Sequence, residues 1–319
     1  MGYESRITRH ESPFASAQGK RITSLRDALR DAIIQLESEH VSSAALAAEL
    51  LLMHTLGRDR AWLYAHPEQE LDAATIEKYF SLVARRASGV PTQYLTGHQE
   101  FWGLDFEVTP DVLIPRPETE HLIEVALERL GGAPSQRNAE LRIADIGTGS
   151  GCIAIALAHE LRNAQFVATD ISAAALEVAR RNAARNGVAE RIEFVERNLL
   201  DALLHESRVT NHESRFLHAV VSNPPYIARS DAATLAREVR EHEPESALFG
   251  GETGTAMYAP LITQAAALLQ PGGILVLELG YNSAEHVSRL LDASEWSDTA
   301  ITNDLAGIKR VASARRAGG

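Results

Sequence analysis

The four residues Asn223-Pro224-Pro225-Tyr226 combine hydrogen-bond acceptors with an aromatic ring, directly after an apolar run at 217–222. Such a run predicts a buried strand, and open α/β folds bind their ligands at the carboxyl ends of their strands. Because proline has no backbone N–H and a fixed φ, this turn is rigid and its carbonyl groups are left to accept hydrogen bonds from a ligand. The sequence therefore predicts a pocket for a planar NH2 group, with catalytic and substrate-binding roles for this segment. The alternative is a proline-rich turn that only ends a strand.

A glycine-rich turn, Gly147-Thr148-Gly149-Ser150-Gly151, follows the first predicted strand of the α/β region. Its spacing differs from that of dinucleotide-binding loops and of lysine-containing phosphate loops. The next predicted strand ends at Asp170, where a carboxylate can accept two hydrogen bonds from a ribose diol. The two features predict a nucleoside ligand without phosphates, and S-adenosylmethionine (SAM) fits this description. The alternative is a tight turn followed by a helix-capping Asp.

Two residues after the third predicted strand are candidates for holding the adenine base. Asn198 stands where such folds often place a side chain against the adenine amino group, and Leu199 can cover the ring. The sequence shows no cluster of metal-ligand residues, so we expect no metal.

Strand and helix patterns alternate from residue 141 onward, which predicts a mostly parallel, doubly wound α/β sheet of the Rossmann-like type. The predicted strands are 141–146, 164–169, 191–195, 217–222 and 273–279, with helices near 152–161, 173–187 and 256–269. Two further runs, 298–302 and 308–313, are candidates for an antiparallel edge.

The preceding region has helical periodicity, with Thr23 or Ser24, Asp59 and Asp72 as candidate N-caps. We therefore predict a small helical bundle, and after it a hairpin that pairs Phe106 to Val108 with Val112 to Ile114. The predicted organisation is an N-terminal extension at 1–20, a helical domain at 21–89, a linker and hairpin at 90–120, and an α/β domain at 121–319.

Composition limits the classes of protein that the chain can belong to. The formal net charge of −12 disfavours a protein that binds nucleic-acid phosphates, and no apolar run reaches the length of a membrane span. A single cysteine excludes an intramolecular disulfide. We expect a monomeric cytoplasmic protein. A charged near-repeat, at 3–14 and 205–216, predicts two exposed additions, the second of them an insertion at about 203–216.

Several longer motifs resemble those of the release factor glutamine methyltransferases, the PrmC/HemK family. The resemblance covers nearly the whole chain after the first twenty residues. Besides the glycine-rich loop and Asn-Pro-Pro-Tyr, the motifs are Gly-Val-Pro-Thr-Gln-Tyr-Leu-Thr-Gly at 89–97, Glu-Phe-Trp-Gly-Leu at 100–104, Val-Leu-Ile-Pro-Arg-Pro-Glu-Thr-Glu at 112–120, Glu-Pro at 243–244 and Asp-Leu-Ala-Gly at 304–307. The insertion has no counterpart in the family pattern.

The resemblance implies a reaction as well as a fold. It implies that the helical domain at 21–89 docks the substrate and that 121–319 is a SAM-dependent methyltransferase domain. It implies that SAM methylates the side-chain amide nitrogen of the glutamine in the Gly-Gly-Gln motif of peptide chain release factors. It also implies that 147–151 and Asp170 hold SAM, that Asn223 lies between SAM and substrate, and that Pro224 to Tyr226 shape the glutamine pocket. Glu118 and Glu120 are assigned structural or substrate-orienting roles.

Two other functions are compatible with parts of the sequence. A DNA amino-methyltransferase shares the Asn-Pro-Pro-Tyr chemistry, although the acidic charge and the absence of a basic recognition module disfavour it. A non-catalytic protein that binds release factors is the second alternative, and binding of SAM would distinguish it from an enzyme.

Overall fold

A computed structural model describes residues 24–131, 140–199 and 217–318 of the 319-residue chain. The chain forms two compact units, Met1–Thr96 and Gly97–Gly319. The predicted extension at 1–20, the insertion at about 203–216 and the near-repeat lie outside the described residues.

The first unit is helical, as the periodicity predicted. Its helices are α1 (Leu25–Ser38), α2 (Ala44–Leu56), α3 (Arg60–Ala65), α4 (Ala73–Ala87) and α5 (Thr92–Thr96). The side chains of Ser24, Asp59 and Asp72 each accept a hydrogen bond from the backbone N–H three residues on, which confirms the predicted N-caps. Tyr79 is fully buried, and its hydroxyl donates to the Ala48 carbonyl, so this core contains no unpaired phenol.

The second unit begins with a hairpin that differs from the predicted one. Strands β1 (His98–Phe101) and β2 (Leu104–Glu107) pair antiparallel. The run from Val112 to Ile114 forms no strand, so the predicted pairing of this run with Phe106 is wrong. Val112 and Ile114 are nevertheless buried, because this segment packs beside the crevice described below.

A seven-stranded sheet forms the centre of the second unit. Its strands are β3 (Arg142–Ile146), β4 (Gln165–Asp170), β5 (Ile192–Glu196), β6 (Leu217–Ser222), β7 (Leu269–Glu278), β8 (Trp296–Asn303) and β9 (Lys309–Arg316). In space they follow the order β5-β4-β3-β6-β7-β9-β8. The first five are parallel to one another, β9 is antiparallel to β7, and β8 is antiparallel to β9, so that among these strands β9 alone runs against the others. The predicted α/β fold and its antiparallel edge are confirmed.

Helices cover both faces of this sheet. Alternate residues of a strand face opposite sides, so Ile143 and Val221 belong to one core cluster while Ala144 and Val220 belong to the other. The first cluster includes residues of α6 (Glu120–Arg129), α7 (Cys152–Glu160) and α8 (Ala173–Arg185). Two short helices follow, α9 (Arg237–His242) and α10 (Glu245–Leu248). The second cluster includes residues of α11 (Tyr258–Leu268) and α12 (Ala284–Leu291).

The strand order places a crevice at one edge of the sheet. From β3 the chain proceeds outward to β4 and β5, and then returns with β6 on the other side of β3. The connections after β3 and β6 therefore leave in opposite directions, and a crevice opens between them at the carboxyl ends of the strands. The glycine-rich loop follows β3 and Asn223 follows β6, so the fold brings the two sequence motifs to the same place.

Candidate active site

A cavity occupies this crevice and is lined by most of the residues singled out from the sequence. The predicted residues on its wall are Gly147, Gly149, Asp170, Asn198, Leu199, Asn223, Pro224 and Pro225. Thr148, Ser150, Gly151 and Tyr226 are not among the lining residues. The structure thus brings the cofactor and substrate motifs to one cavity, and it places part of each motif behind the wall.

The glycine-rich loop is folded back against the end of β4. The backbone N–H groups of Gly147 and Thr148 both donate to the Thr169 carbonyl, each at 2.9 Å. Gly149 has a φ of +55° and no atom within 4 Å of the position that a Cβ would take. Its left-handed backbone and its open face explain why glycine stands here, since a side chain would be strained and would project from the loop.

Asp170 joins this loop to the next one. Its Oδ2 accepts a hydrogen bond from the Gly149 N–H and its Oδ1 accepts one from the Ser172 N–H, both at 2.9 Å. A carboxylate has about four acceptor positions. Two therefore remain on this cavity-lining side chain, enough for the two hydroxyls of a ribose, and the site fits a nucleoside such as the one in SAM.

The loop residues behind the wall have structural partners. The Thr148 hydroxyl donates to Asp145 Oδ2 at 2.7 Å, and Asn182 Nδ2 donates to the Ser150 carbonyl at 2.9 Å. Thr148 and Ser150 are both buried. These two bonds hold the loop from the side away from the cavity.

Asp145 is a fully buried carboxyl group beneath the glycine-rich loop. Burial raises its pKa to about 7, although hydrogen bonds from Thr148 and from the Ala154 N–H act in the opposite direction. Its Oδ1 is buried and has no hydrogen-bond partner among the described residues. The neutral form is therefore favoured below neutral pH, and ionisation places a charge in the core.

The stability of the protein should consequently fall as the pH rises toward neutrality. The unfolded carboxyl, with a pKa of 3.8, loses its proton before the native one does at about 7. The contribution of Asp145 is thus fully present below the unfolded pKa and is lost as pH rises through that interval, by up to about 1.4 kcal/mol per pH unit. The unfolding free energy of the wild type should fall between about pH 5.5 and 7.5. In Asp145→Asn we expect this fall to be smaller by about 1–2 kcal/mol.

Urea unfolding of the SAM-free protein at these two pH values measures this effect. Asp292→Asn, at an exposed position, is the matched control and should change with pH as the wild type does. An identical pH response of wild type and Asp145→Asn would exclude the buried carboxyl as its source.

Leu199 and Asn198 reach the cavity from the end of β5. Leu199 has a left-handed φ of +53°, and its carbonyl accepts a hydrogen bond from the Thr169 hydroxyl at 3.1 Å. The side chain of Leu199 is almost fully buried on the wall. Both residues therefore line the cavity, and the adenine contact assigned to them stays a prediction.

The Asn-Pro-Pro-Tyr turn is positioned by polar and steric contacts. Asn223 Nδ2 donates to the Thr119 hydroxyl oxygen at 3.1 Å, and its Oδ1 makes no hydrogen bond within the part of the chain that the structure describes. A Cβ on Gly250 would lie 2.3 Å from the Pro225 carbonyl oxygen, so only glycine permits this approach. The loop at 250 is thereby packed directly under the turn.

Tyr226, which the resemblance assigns to the glutamine pocket, is not among the residues that line the cavity. Its hydroxyl donates to Glu278 Oε1 at 3.1 Å, and its ring packs so closely on Gly280 that a Cβ there would lie 3.0 Å from the ring. Burial, reinforced by the Glu278 charge, raises the pKa of Tyr226. The structure places this ring behind the turn and not on the cavity wall.

Other residues of the wall were missed because their sequence was taken for a strand or left without a role. They include Asp111, Val112 and Leu113 on one side and Pro244, Ser246 and Ala247 on another. Buried Glu243 joins the two segments: it accepts hydrogen bonds from Arg116 Nη2 at 2.5 Å and from the Ile114 N–H at 3.4 Å. The sequence carried a signal for this link, because the motif at 112–120 contains Arg116 and the motif at 243–244 contains Glu243, two residues of opposite charge.

Comparison with known proteins identifies the chain. Residues 27–97 match the model of the PrmC N-terminal domain, and residues 133–242 match that of the methyltransferase small domain. The release factor glutamine methyltransferase of Koribacter versatilis is 43% identical over 92% of this chain and 98% of its own length. The enzyme of that name from Burkholderia pseudomallei is 44% identical over 86% and 93%. The chain belongs to the release factor glutamine methyltransferase family.

Membership confirms the family and the enzyme class predicted from the motifs, a SAM-dependent methyltransferase. A solved structure, the hMettl16 catalytic domain in complex with the MAT2A 3′UTR hairpin 6, has a TM-score of 0.53 and 19% identity, and the match covers 74% of this chain and 81% of that one. At this level of identity the likeness supports the fold alone. Within the described ranges, no helix of this methyltransferase has the length and apolarity to cross a bilayer.

Proposed function

We propose that this protein methylates the side-chain amide nitrogen of a glutamine in peptide chain release factors, that of the Gly-Gly-Gln motif, with SAM as the methyl donor. One observation carries the proposal: in a member of this family, Asn223 and Pro224 share a cavity with Gly149 and Asp170. The amide-binding turn and the nucleoside-binding loop are therefore neighbours, as direct transfer between two bound substrates requires.

SAM, when bound, supplies an electrophilic methyl group. Asp170 has acceptor positions for the ribose, while Asn198 and Leu199 are placed for the adenine. These residues fix the cofactor against the glycine-rich loop, whose open face at Gly149 permits close approach. Pro244, Ser246 and Ala247 contribute another part of the cavity wall.

The amide of glutamine is a poor nucleophile because its lone pair is delocalised into its carbonyl. Positioning must therefore supply much of the acceleration, and the rigid Pro224-Pro225 pair suits this task. As a bond forms at the amide nitrogen, positive charge develops there and its N–H groups become stronger donors. Asn223 Oδ1 and the Pro224 carbonyl are preorganised acceptors that bind this state more tightly than the ground state. Because the product cation can lose its proton afterwards, the reaction needs no strong base beforehand.

We also propose that the helical unit docks the release factor. A groove on this unit is lined by apolar side chains of α1 and α3, among them Leu29, Ile34 and Tyr64. Ile34 is 40% and Tyr64 62% exposed, although both are large. Exposed apolar grooves of this kind are typical of protein-binding surfaces.

Ile34→Ser should weaken docking without affecting the chemistry. Losing the burial of one half-exposed isoleucine costs about 1 kcal/mol, which corresponds to a roughly fivefold higher KM for intact release factor. The turnover number and the affinity for SAM should stay unchanged. Steady-state kinetics with varied release factor measures this effect.

Leu46→Ser is the matched control, because Leu46 is 46% exposed in the same unit and does not line the groove. Its KM should equal that of the wild type. Equal effects of the two variants would show that the groove has no special role in docking.

A transfer assay with labelled SAM tests the proposed function against the DNA amino-methyltransferase alternative. Label should enter intact release factor, and none should enter a release factor whose Gly-Gly-Gln glutamine is replaced by alanine. Duplex DNA should remain unlabelled, in keeping with the net charge of −12. Transfer to DNA alone would contradict the proposal, and SAM binding without any transfer would favour the non-catalytic alternative. We also propose a cytoplasmic protein, in keeping with its single cysteine, that has no nucleic-acid partner, in keeping with its acidic charge.

A further inference from the structure

We propose that Tyr281 and Leu305 form a docking surface, here called the rim, for the release factor segment that carries the glutamine. The rim rests on the proposed function, because it concerns how the substrate of that reaction is held. Tyr281 is 74% exposed and Leu305 is fully exposed, although both side chains are large. Neither lines the cavity or the groove of the helical unit, so the rim is separate from both of these sites.

The exposed apolar side chains of the second unit lie at one edge of its sheet. Among the described residues of this unit, the large apolar side chains that are mostly exposed are those of Ile171, Tyr281 and Leu305. They follow the ends of β4, β7 and β8, which run in the same direction, so all three lie at the carboxyl edge with the cavity. Ile171 belongs to the cavity wall. Single exposed apolar residues are ordinary, whereas their grouping at one place is typical of interaction sites.

Tyr281 lies beside the Asn-Pro-Pro-Tyr turn. The preceding residue, Gly280, packs against Tyr226, since a Cβ on Gly280 would lie 3.0 Å from the Tyr226 ring and 3.1 Å from its Cβ. Consecutive Cα atoms are about 3.8 Å apart, so the backbone of Tyr281 is one residue from this contact. Pro224 and Pro225 of the same turn line the cavity. A polypeptide whose glutamine enters the cavity over this turn is therefore within reach of Tyr281.

Leu305 is held in an exposed position by a turn that is fixed by its neighbour Asp304. The Oδ1 atom of Asp304 accepts hydrogen bonds from the N–H groups of Ala306 and Ile308, both at 2.9 Å. Its Oδ2 accepts one from Arg310 Nε at 3.1 Å, and its own N–H donates to the Ile308 carbonyl at 2.8 Å. A leucine on so rigid a turn can bind a partner with little loss of conformational freedom in the backbone.

The spacing of the strands gives the extent of the rim. The Leu279 N–H donates to the Arg310 carbonyl at 2.8 Å, so the segment of Tyr281 is joined to the turn of Leu305. In the order β6-β7-β9-β8, the ends of β7 and β8 lie one and three strand spacings from that of β6, about 5 and 14 Å. An extended chain covers the larger distance in about four to five residues. A segment with its glutamine at Asn223 therefore reaches the whole rim.

The substrate of the proposed reaction identifies the occupant of the rim. A glutamine side chain enters the cavity from a backbone that stays outside, so the residues beside that glutamine lie on the surroundings of the cavity mouth. The rim offers them an aromatic ring and a leucine side chain, which suit apolar and aromatic partners. The occupant is therefore the apolar side chains of the release factor segment beside the methylated glutamine. A second copy of this protein is the alternative that cross-linking distinguishes.

Tyr281→Ser and Leu305→Ser measure the contribution of the rim to docking. Each variant should raise the KM for intact release factor about tenfold, because apolar contact area is lost. The turnover number and the affinity for SAM should stay unchanged, since these contacts are equally present in the ground state and the transition state. The conservative variants Tyr281→Phe and Leu305→Met keep the apolar area and should remain within about twofold of the wild-type KM. Leu46→Ser, on the helical unit, is again the control.

A photoreactive benzophenone side chain at position 305 tests the identity of the occupant. Irradiation with release factor should give cross-links that mass spectrometry locates within about ten residues of the Gly-Gly-Gln glutamine, twice the extended reach. The same side chain at position 292, which is exposed and precedes the amino end of β8, should give none of these cross-links. Cross-links only to remote parts of the release factor, or only to a second copy of this protein, would overturn the proposal.

The kinetic result can contradict the rim without contradicting the proposed function. A wild-type KM in both serine variants, with normal methyl transfer, would overturn the rim alone. A lower turnover number at unchanged KM would also overturn it, because the side chains would then act in the reaction and not in docking. A wild-type protein that transfers no methyl group to release factor would instead contradict the proposed function.

Discussion

Asn223→Ala is expected to lower the turnover number by about 10²- to 10³-fold while the affinity for SAM changes far less. The substitution removes Oδ1, which makes no hydrogen bond among the described residues, from a side chain that lines the cavity. Pro224 is buried and Pro225 contacts the glycine loop at 250, so the turn itself should survive. Single-turnover kinetics with labelled SAM, together with calorimetric titration of SAM, measures the two quantities separately.

Asn223→Asp is the informative companion of this variant. It keeps an acceptor oxygen and adds a negative charge near the bound sulfonium. This charge stabilises bound SAM relative to a transition state in which the positive charge is being dispersed. We expect binding of SAM to be retained and turnover to remain depressed. A wild-type rate in either variant would mean that Asn223 is only a turn residue.

Asp170→Ala is expected to weaken the binding of SAM by about 1–3 kcal/mol, the cost of losing charge-assisted hydrogen bonds. Two effects combine in this variant. The ribose loses its acceptors, and the Gly149 N–H loses the partner that holds the loop at 2.9 Å. Calorimetric titration of SAM into the purified variant measures the loss directly.

Asp170→Asn is the matched control, because it keeps an oxygen for the Gly149 N–H and reduces the number of acceptors for the ribose. Its affinity should lie between those of the wild type and Asp170→Ala. Unchanged affinity in both variants would remove Asp170 from the cofactor site.

The sequence predicted the parts of this site that depend on strand ends. Apolar runs of five to six residues marked β3, β4 and β6, and in a parallel sheet the carboxyl ends of such strands lie at one edge. Asp170 is the last residue of β4 and Asn223 directly follows β6, so the strand assignments already place the two residues close together. The glycine-rich loop was recognised for the same reason.

The hairpin was predicted in the wrong place for a reason that concerns backbone conformation. Its turn has Trp102 and Gly103 with φ values of +55° and +67°. Two-residue hairpins of this kind require positive φ at both central positions, and tryptophan is not a residue that signals them. The apolar run at 112–114 resembled a strand, but its burial comes from packing beside the cavity.

The Thr119–Asn223 contact could not be predicted from sequence patterns. The two residues are 104 positions apart and belong to different elements. No local periodicity relates the 3-10 helix Pro117–Thr119, before α6, to the turn after β6, and the partners meet only because the sheet is assembled. Distant polar contacts of this type require the structure.

Tandem mass spectrometry of a release factor incubated with SAM and this protein tests the central claim most directly. The account predicts one methyl group, located on the side-chain amide nitrogen of the Gly-Gly-Gln glutamine, and its absence when Asn223→Ala replaces the wild type for the same time. A methyl group on any other residue, or equal modification by the two proteins, would contradict it.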